Sequence, residues 1–346
     1  MNSTSIPNNN RLSSHIPRHF TLVLVICMIL LVLTVFASLV LGSRPVRFHE
    51  LIDGLFHQDA DSYGANIVRK RISRTIFSLF CGAALGVSGS LMQAVTRNPI
   101  ADPSILGVNT GASLFVVCGI AFLNISTANQ YIWLALAGAA ITAVFVFGIG
   151  SMGRGGATPI KLVLAGAATS AALTSLVTAI MIPRSSVMDQ FRFWQVGSVG
   201  SGTWSAIGTF IPFLLVGILI GFIAAPALNA LALGDDVATG LGVRTGTLRL
   251  IAAIAGVLLC GATTALAGPI GFIGLLSTHI IRLILGPDLR LIIPMSAIAG
   301  AIILTLSDVG GRLIGSPGEL EVGVVTAFIG APILIIVAMR SKVRSL

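Results

Sequence analysis

Gln93-Ala-Val-Thr-Arg-Asn-Pro-Ile-Ala-Asp-Pro-Ser-Ile-Leu-Gly-Val-Asn-Thr-Gly111 is a short polar break between two long apolar runs. Asn98-Pro99 and Asp102-Pro103 each set a helix-capping residue before a proline, and proline suits the first helical position because its missing N–H would have no partner there. The second pair is expected to open the next helix. On physics alone the segment is a structural turn joining two apolar helices.

The rest of the chain repeats that unit. Of 346 residues, 55% are hydrophobic and 10% charged, with a mean hydropathy of +0.98, whereas soluble domains carry roughly 25% charged residues. Ten runs are long and apolar enough to be candidate spans: about 20–41, 72–94, 104–123, 131–150, 161–182, 207–226, 249–267, 270–285, 292–309 and 323–340. The eighth is short, and its Gly268-Pro269 start also suits a broken or tilted element. The longest stretch outside the spans runs from about Gly42 to Lys70, too little for a soluble domain. The expectation is an all-α polytopic membrane protein: a cytoplasmic tail at 1–19, one membrane domain at 20–340 and a second tail at 341–346.

Charge sets the orientation. Arg11 and Arg18 precede the first span, whose apolar run of about 22 residues exceeds the roughly 7–15 of a signal peptide, so it reads as an uncleaved helix entered from the cytoplasm. Ten crossings then bring Arg340, Lys342 and Arg344 back to the same side. Of the 21 Lys and Arg, twelve fall inside and nine outside on this topology, so the two terminal flanks carry the assignment. The net charge of +9 is scattered over loops on both sides and excludes a nucleic-acid stripe. Cys27, Cys81, Cys118 and Cys260 lie inside apolar spans without paired spacing, as small buried hydrophobes do, and no metal site is expected.

Leu228-Asn-Ala-Leu-Ala-Leu-Gly-Asp-Asp-Val-Ala-Thr-Gly-Leu-Gly-Val243 differs from every other loop. Leu228, Leu231 and Ala232 make one short apolar face, Gly234 ends it, and Asp235 or Asp236 can cap a second helix carrying Val237, Ala238 and Leu241. Helices of under two turns do not stand alone in water. Their faces read as contact surfaces, either for another protein or for lipid headgroups. Small residues recur at helix-contact spacing elsewhere: Gly82, Gly86 and Ser90 in the second span; Gly166, Ser170, Thr174 and Thr178 in the fifth; Gly323, Thr326 and Gly330 in the tenth. Such stripes let helices approach closely. A mildly polar stripe also suits a conduit that must not hold its cargo tightly.

Arg97-Asn-Pro-Ile-Ala-Asp-Pro-Ser-Ile-Leu-Gly107 resembles the signature of the permease subunits of bacterial type II ABC importers for iron-siderophores, haem and vitamin B12. The resemblance covers nearly the whole chain. It takes in Arg71-Ile-Ser-Arg74, Ala83-Ala-Leu-Gly-Val-Ser-Gly89, Gly268-Pro-Ile-Gly-Phe-Ile-Gly274 with His279 and Arg282, and Pro317-Gly-Glu-Leu-Glu-Val-Gly-Val-Val-Thr-Ala-Phe-Ile-Gly-Ala-Pro332. One departure is local: Ser277-Thr278 stands where the family commonly has an aliphatic residue and proline, which puts a kink there in doubt.

The resemblance implies a BtuC-like fold of ten helices with both ends cytoplasmic, in the bacterial cytoplasmic membrane. It also implies a second permease subunit, two ATPase subunits and an extracytoplasmic binding protein as partners, with ferric siderophore as cargo and vitamin B12 or haem as the alternatives. In that frame Leu228, Leu231, Gly234, Asp235, Asp236, Val237 and Leu241 meet the ATPase, and Arg71, Arg74 and Arg312 face the binding protein. Gly166, Ser170, Thr174, Gly323, Thr326 and Gly330 line the pathway. Read from the residues themselves, the outward arginines equally suit helix-end anchors snorkelling to headgroups. Asp308, Glu319 and Glu321 suit a local salt-bridge network around Arg312, and His279 and Arg282 a polar contact between helices.

Absences narrow the class. None of the three lysines, at 70, 161 and 342, follows a glycine, so the chain has no P-loop. Any ATP must act through a separate subunit, and no cofactor is expected on this chain. An ion-coupled secondary transporter normally carries ionisable residues near mid-membrane, and the spans hold none centrally. No His-Glu-x-x-His or paired carboxylate within a span supports an enzyme.

Overall fold

A computed structural model describes residues 19–44, 46–57, 62–125, 128–153 and 158–340. Apart from His19, the two expected tails lie outside these residues. The described chain is helical: α1 Phe20–Val40, α2 Phe48–Phe56, α3 Tyr63–Thr96, a 3-10 turn Pro103–Leu106, α4 Val108–Leu123, α5 Ala128–Ser151, α6 Pro159–Met181, α7 Ser185–Gln195, α8 Trp204–Ala232, α9 Asp235–Gly240, α10 Thr245–Ala267, α11 Ile273–Leu285, α12 Leu289–Ile314 and α13 Val322–Arg340. Each of the ten expected spans falls on one of these helices. Seven are long and apolar enough to cross a membrane unaided, and α4, α11 and α13 are shorter apolar helices.

The 34-residue α3 is the axis of the bundle. It packs against α12, α10, α11 and α8, and Phe77, Cys81, Val87 and Leu91 on it are fully buried. Lipid tails are as apolar as leucine, so helices here are held by close van der Waals fit. Gly82, Gly86 and Gly89 supply that fit, since a methyl group at them would collide with the Gly300 carbonyl, the Ser296 carbonyl and Gly274 respectively. The expected packing stripe is thus present, with Gly89 in the role given to Ser90; the Ser90 hydroxyl turns back onto the Val87 carbonyl at 2.8 Å.

The structure decides four local points. Asp102-Pro103 opens the 3-10 turn instead of α4: Asp102 accepts from the Ser104 N–H at 3.0 Å, and the chain enters α4 only after Gly107 in a left-handed conformation. The eighth span is the broken element. Residues 268–272 are not helical, and α11 begins after Phe272 at φ 70°. Across the Ser277-Thr278 departure α11 runs unbroken, the Ser277 hydroxyl bonding the Ile273 carbonyl at 2.7 Å. Finally, α2 and α7 are amphipathic helices outside the spans that hydropathy alone does not reveal. In α2 the Glu50 carboxylate accepts the Arg47 N–H at 2.8 Å, and that bond holds its carboxyl below the usual range.

Candidate coupling and docking surfaces

The segment 228–243 is one long helix end plus one short helix, not two short helices. Leu228 to Ala232 continues α8, whose Pro226 is absorbed without a break. Leu228 and Leu231 are fully buried in the bundle core, so the first of the expected apolar faces is spent on the chain's own packing. The turn to α9 needs φ 120° at its N-cap, a conformation only glycine adopts readily, and Gly234 fills it in place of the expected aspartate cap. What faces outward is Leu233 at 67%, Val237 at 50% and Leu241 at 64% exposure, spaced four residues apart. Leu233 was missed because its spacing matches the second face and not the first.

Asp235 anchors this surface. Its carboxylate receives Arg249 at 2.8 and 3.1 Å and is also held by Arg97. Arg249 is nearly buried at the start of α10, and Arg97 caps α3 in a left-handed conformation. One carboxylate therefore ties α9 to the C-terminal end of α3 and the N-terminal end of α10. Asn229 extends the tie to α12, donating to Asp288 at 2.6 Å and accepting the Leu289 N–H at 2.9 Å. Asp236 stays exposed. Sequence spacing could not pair Asp235 with Arg97, 138 positions away. Arg97 stands at the head of the signature segment, but no local pattern assigns it a partner.

At the opposite end the arginine cluster turns inward. Arg71 donates to the carbonyls of Leu39, Val40 and Arg44 at 2.7 to 3.0 Å, and Arg312 donates to the carbonyls of Ser38 and Leu41 and to the Ser38 hydroxyl at 2.9 to 3.1 Å. The last carbonyls of a helix have no intrahelical partner, and cations satisfy both their lone pairs and the helix dipole. Two buried guanidinium groups from α3 and α12 thus cap the end of α1. Neither is presented for docking, which corrects the outward role expected of Arg71 and Arg312.

Arg74 is the one nearest the surface. It grips Asp308 with Nε and Nη2, the shortest bond 2.7 Å, and Glu319 with Nη1 at 2.6 Å. Asp308 also lies 3.2 Å from Arg312. The expected salt-bridge network exists with one change: among the described residues Glu321 makes no ion pair, while Asp308 takes part from a buried position on α12. Glu319, 40% exposed, is the network's edge to solvent.

The two stripes assigned to the pathway part company. On α6, Gly166 is buried, Ser170 is half-buried and receives a bond from Thr110 at 3.3 Å, and Thr174 and Thr178 are exposed. On α13, Thr326 is buried, Gly323 packs against the Val196 carbonyl and Gly330 against the Phe272 ring. That face holds the helix to the bundle. The exposed face of α13 carries Val324, Phe328 and Ile329 instead. His279 and Arg282 are half-buried on α11.

Comparison with known proteins agrees with this architecture. The FecCD transport family matches residues 30–340. The "Probable siderophore transport system permease protein YfiZ" of Bacillus subtilis (strain 168) is 39% identical, over 92% of this chain and 96% of its own length. The ferric enterobactin transport system permease protein FepD of Escherichia coli (strain K12) is 40% identical, over 90% of this chain and 93% of its own. Among solved structures, a chain of a metal-chelate type ABC transporter in an inward-facing conformation superposes with a TM-score of 0.80 at 25% identity, covering 93% of this chain and 99% of that one.

Proposed function

The chain belongs to the FecCD transport family, and from that membership we propose that it is the membrane permease of an ATP-driven importer that carries a ferric siderophore across the cytoplasmic membrane. The observation that carries the reading is the α9 surface: three exposed apolar side chains, Val237 on a short helix and Leu233 and Leu241 flanking it, with the helix clamped by Asp235 to α3 and α10. A bundle without a P-loop needs a place where an external motor can push, and this surface meets that need. Two ATPase subunits act there, and this chain binds neither ATP nor a cofactor itself. Residues 20–340 form one membrane domain with both termini cytoplasmic. A second permease subunit faces the exposed side of α6, and a substrate-binding protein docks on the outer side near Arg74 and Glu319.

Uptake of radioactive iron from a panel of ferric siderophores, in a strain lacking this chain, tests the proposal, with haem and cobalamin as parallel arms. Loss of uptake for one siderophore, restored by the chain and abolished by ATP depletion but not by an uncoupler at fixed ATP, is the expected outcome. Loss of haem or cobalamin uptake alone would move the substrate. Uptake that follows the ion gradient instead of ATP would overturn the mechanism.

A further inference from the structure

Between α5 and α10 lies an apolar groove of about 370 Å³. Its floor is made of small buried residues, Ala139, Ala143 and Ala253, and its rims of exposed aliphatic ones, Val144 and Ile254. It runs from Leu136 to Gly148 on α5 and from Leu250 to Gly261 on α10. At about 1.5 Å of rise per residue that is a length of roughly 16 to 18 Å. One leaflet of a hydrocarbon core about 30 Å thick is roughly 15 Å deep. The groove therefore spans a single leaflet.

Its position fixes which one. Gly148 lies three residues before the end of α5 and Leu250 five residues after the start of α10, so the groove ends at the membrane boundary beside α9. Cations gather at that end. Arg244 is exposed at the N-cap of α10, and Lys161 reaches the Met152 carbonyl at 3.3 Å, just past the end of α5. The α10 face that lines the groove continues through Thr247 and Gly246, both exposed. Its lining among the described residues carries no charge, and an apolar slot one leaflet deep with Arg244 and Lys161 toward its boundary end matches a lipid with an anionic head. A second copy of this chain fits the slot poorly, since the exposed hydroxyl stripe that favours a protein or aqueous neighbour is on α6.

We propose that this groove is a binding site for one anionic phospholipid of the leaflet on the α9 side, an acyl chain lying over Ala139, Ala143 and Ala253 and the phosphate between Arg244 and Lys161. Bound there, the lipid sits against the first turn of α10, next to the Arg249–Asp235 tie. The site is independent of the transported ligand.

Native mass spectrometry of the purified full chain, titrated with dioleoylphosphatidylglycerol or dioleoylphosphatidylcholine, tests it. The expected result is one retained lipid, with phosphatidylglycerol preferred about fivefold, the factor one arginine supplies near an anionic surface. Gly148→Leu should lower binding of both lipids about tenfold by filling the boundary end of the groove. A side chain at Gly148 meets nothing within 4 Å, so its unfolding midpoint should stay at the wild-type value. Arg244→Gln should keep the lipid and remove most of the headgroup preference. Wild-type lipid retention in Gly148→Leu, and again in Ala140→Leu on the groove wall, would overturn the site. So would a spontaneous disulfide between two copies of Val144→Cys, which would mean that protein covers this face.

Discussion

At the scale of single residues, the arginines show how far type and spacing inform. Arg71 and Arg74 on one helical face read as a docking pair, and Arg312 as their companion. What decides their roles is the end of α1, which neither motif touches. A helix ending inside a bundle leaves carbonyls that water cannot reach, and Arg71 and Arg312 satisfy five backbone acceptors there between them. Gly42 belongs to the same device, because a side chain at it would press on the Arg71 guanidinium. Replacing Arg312 with Ala removes its carbonyl bonds and leaves buried Asp308 to Arg74 alone. The expected cost is about 3 kcal/mol, the range for breaking a buried ion pair, seen as a lower unfolding midpoint in detergent; an unchanged midpoint would refute the cap. The small-residue stripe on α3, by contrast, was legible in advance, because close packing of membrane helices requires small side chains whatever their partners. Gly86→Val would drive a methyl group into the Ser296 carbonyl. The expected destabilisation is about 3 kcal/mol, with loss of the folded monomer peak in size-exclusion chromatography.

At the scale of elements, hydropathy located the spans but could not tell where a helix stops. Leu228 to Ala232 looks like a separate helix because an apolar face is followed by glycine, yet the same pattern describes the buried end of a longer helix. The distinction lies in Leu228 and Leu231 meeting neighbours that no local window contains. The exposed trio Leu233, Val237 and Leu241 follows once α9 is placed, and with it two separable expectations. Asp235→Ala should leave the chain in the membrane but free α9 from α3 and α10. Ligand-stimulated ATP hydrolysis and uptake should then fall together by about tenfold, as loss of about 1.4 kcal/mol of coupling implies. Leu241→Asp leaves the clamp intact and places a charge on the contact face, so it should weaken co-purification of the ATPase subunit instead. Equal ATPase recovery and full uptake in both variants would remove α9 from the coupling path. The helices α2 and α7 escaped notice for a complementary reason: each is short, and each buries one apolar edge, α2 on α3 and α7 chiefly on α4, which hydropathy along the chain does not register.

At the scale of the whole molecule, the ten-span pattern and the missing P-loop were readable, since each depends on composition along a single stretch, whereas the central place of α3 was not. Which surface faces water was not, because that is a property of the assembly. The structure narrows it to a contrast between two exposed faces. On α6, Thr174, Ser175 and Thr178 are exposed within a membrane-length helix, and the hydroxyls of Ser175 and Thr178 turn back onto carbonyls of their own helix, Ala171 and Thr174, each at 2.9 Å. On α5, Val144 is 73% exposed among aliphatic neighbours. If α6 borders a pathway between two permease subunits, a cysteine at Thr174 should react with a membrane-impermeant, water-soluble thiol reagent, and one at Val144 should not. The four native cysteines are free and would first be replaced by alanine. Thiolate forms only where water reaches the sulfur, so the reagent reads hydration directly. Substrate-loaded binding protein should change the rate at Thr174→Cys and leave Val144→Cys silent. Reaction at Val144→Cys with none at Thr174→Cys would put the aqueous path on the α5 side and displace both the proposed subunit interface and the lipid groove.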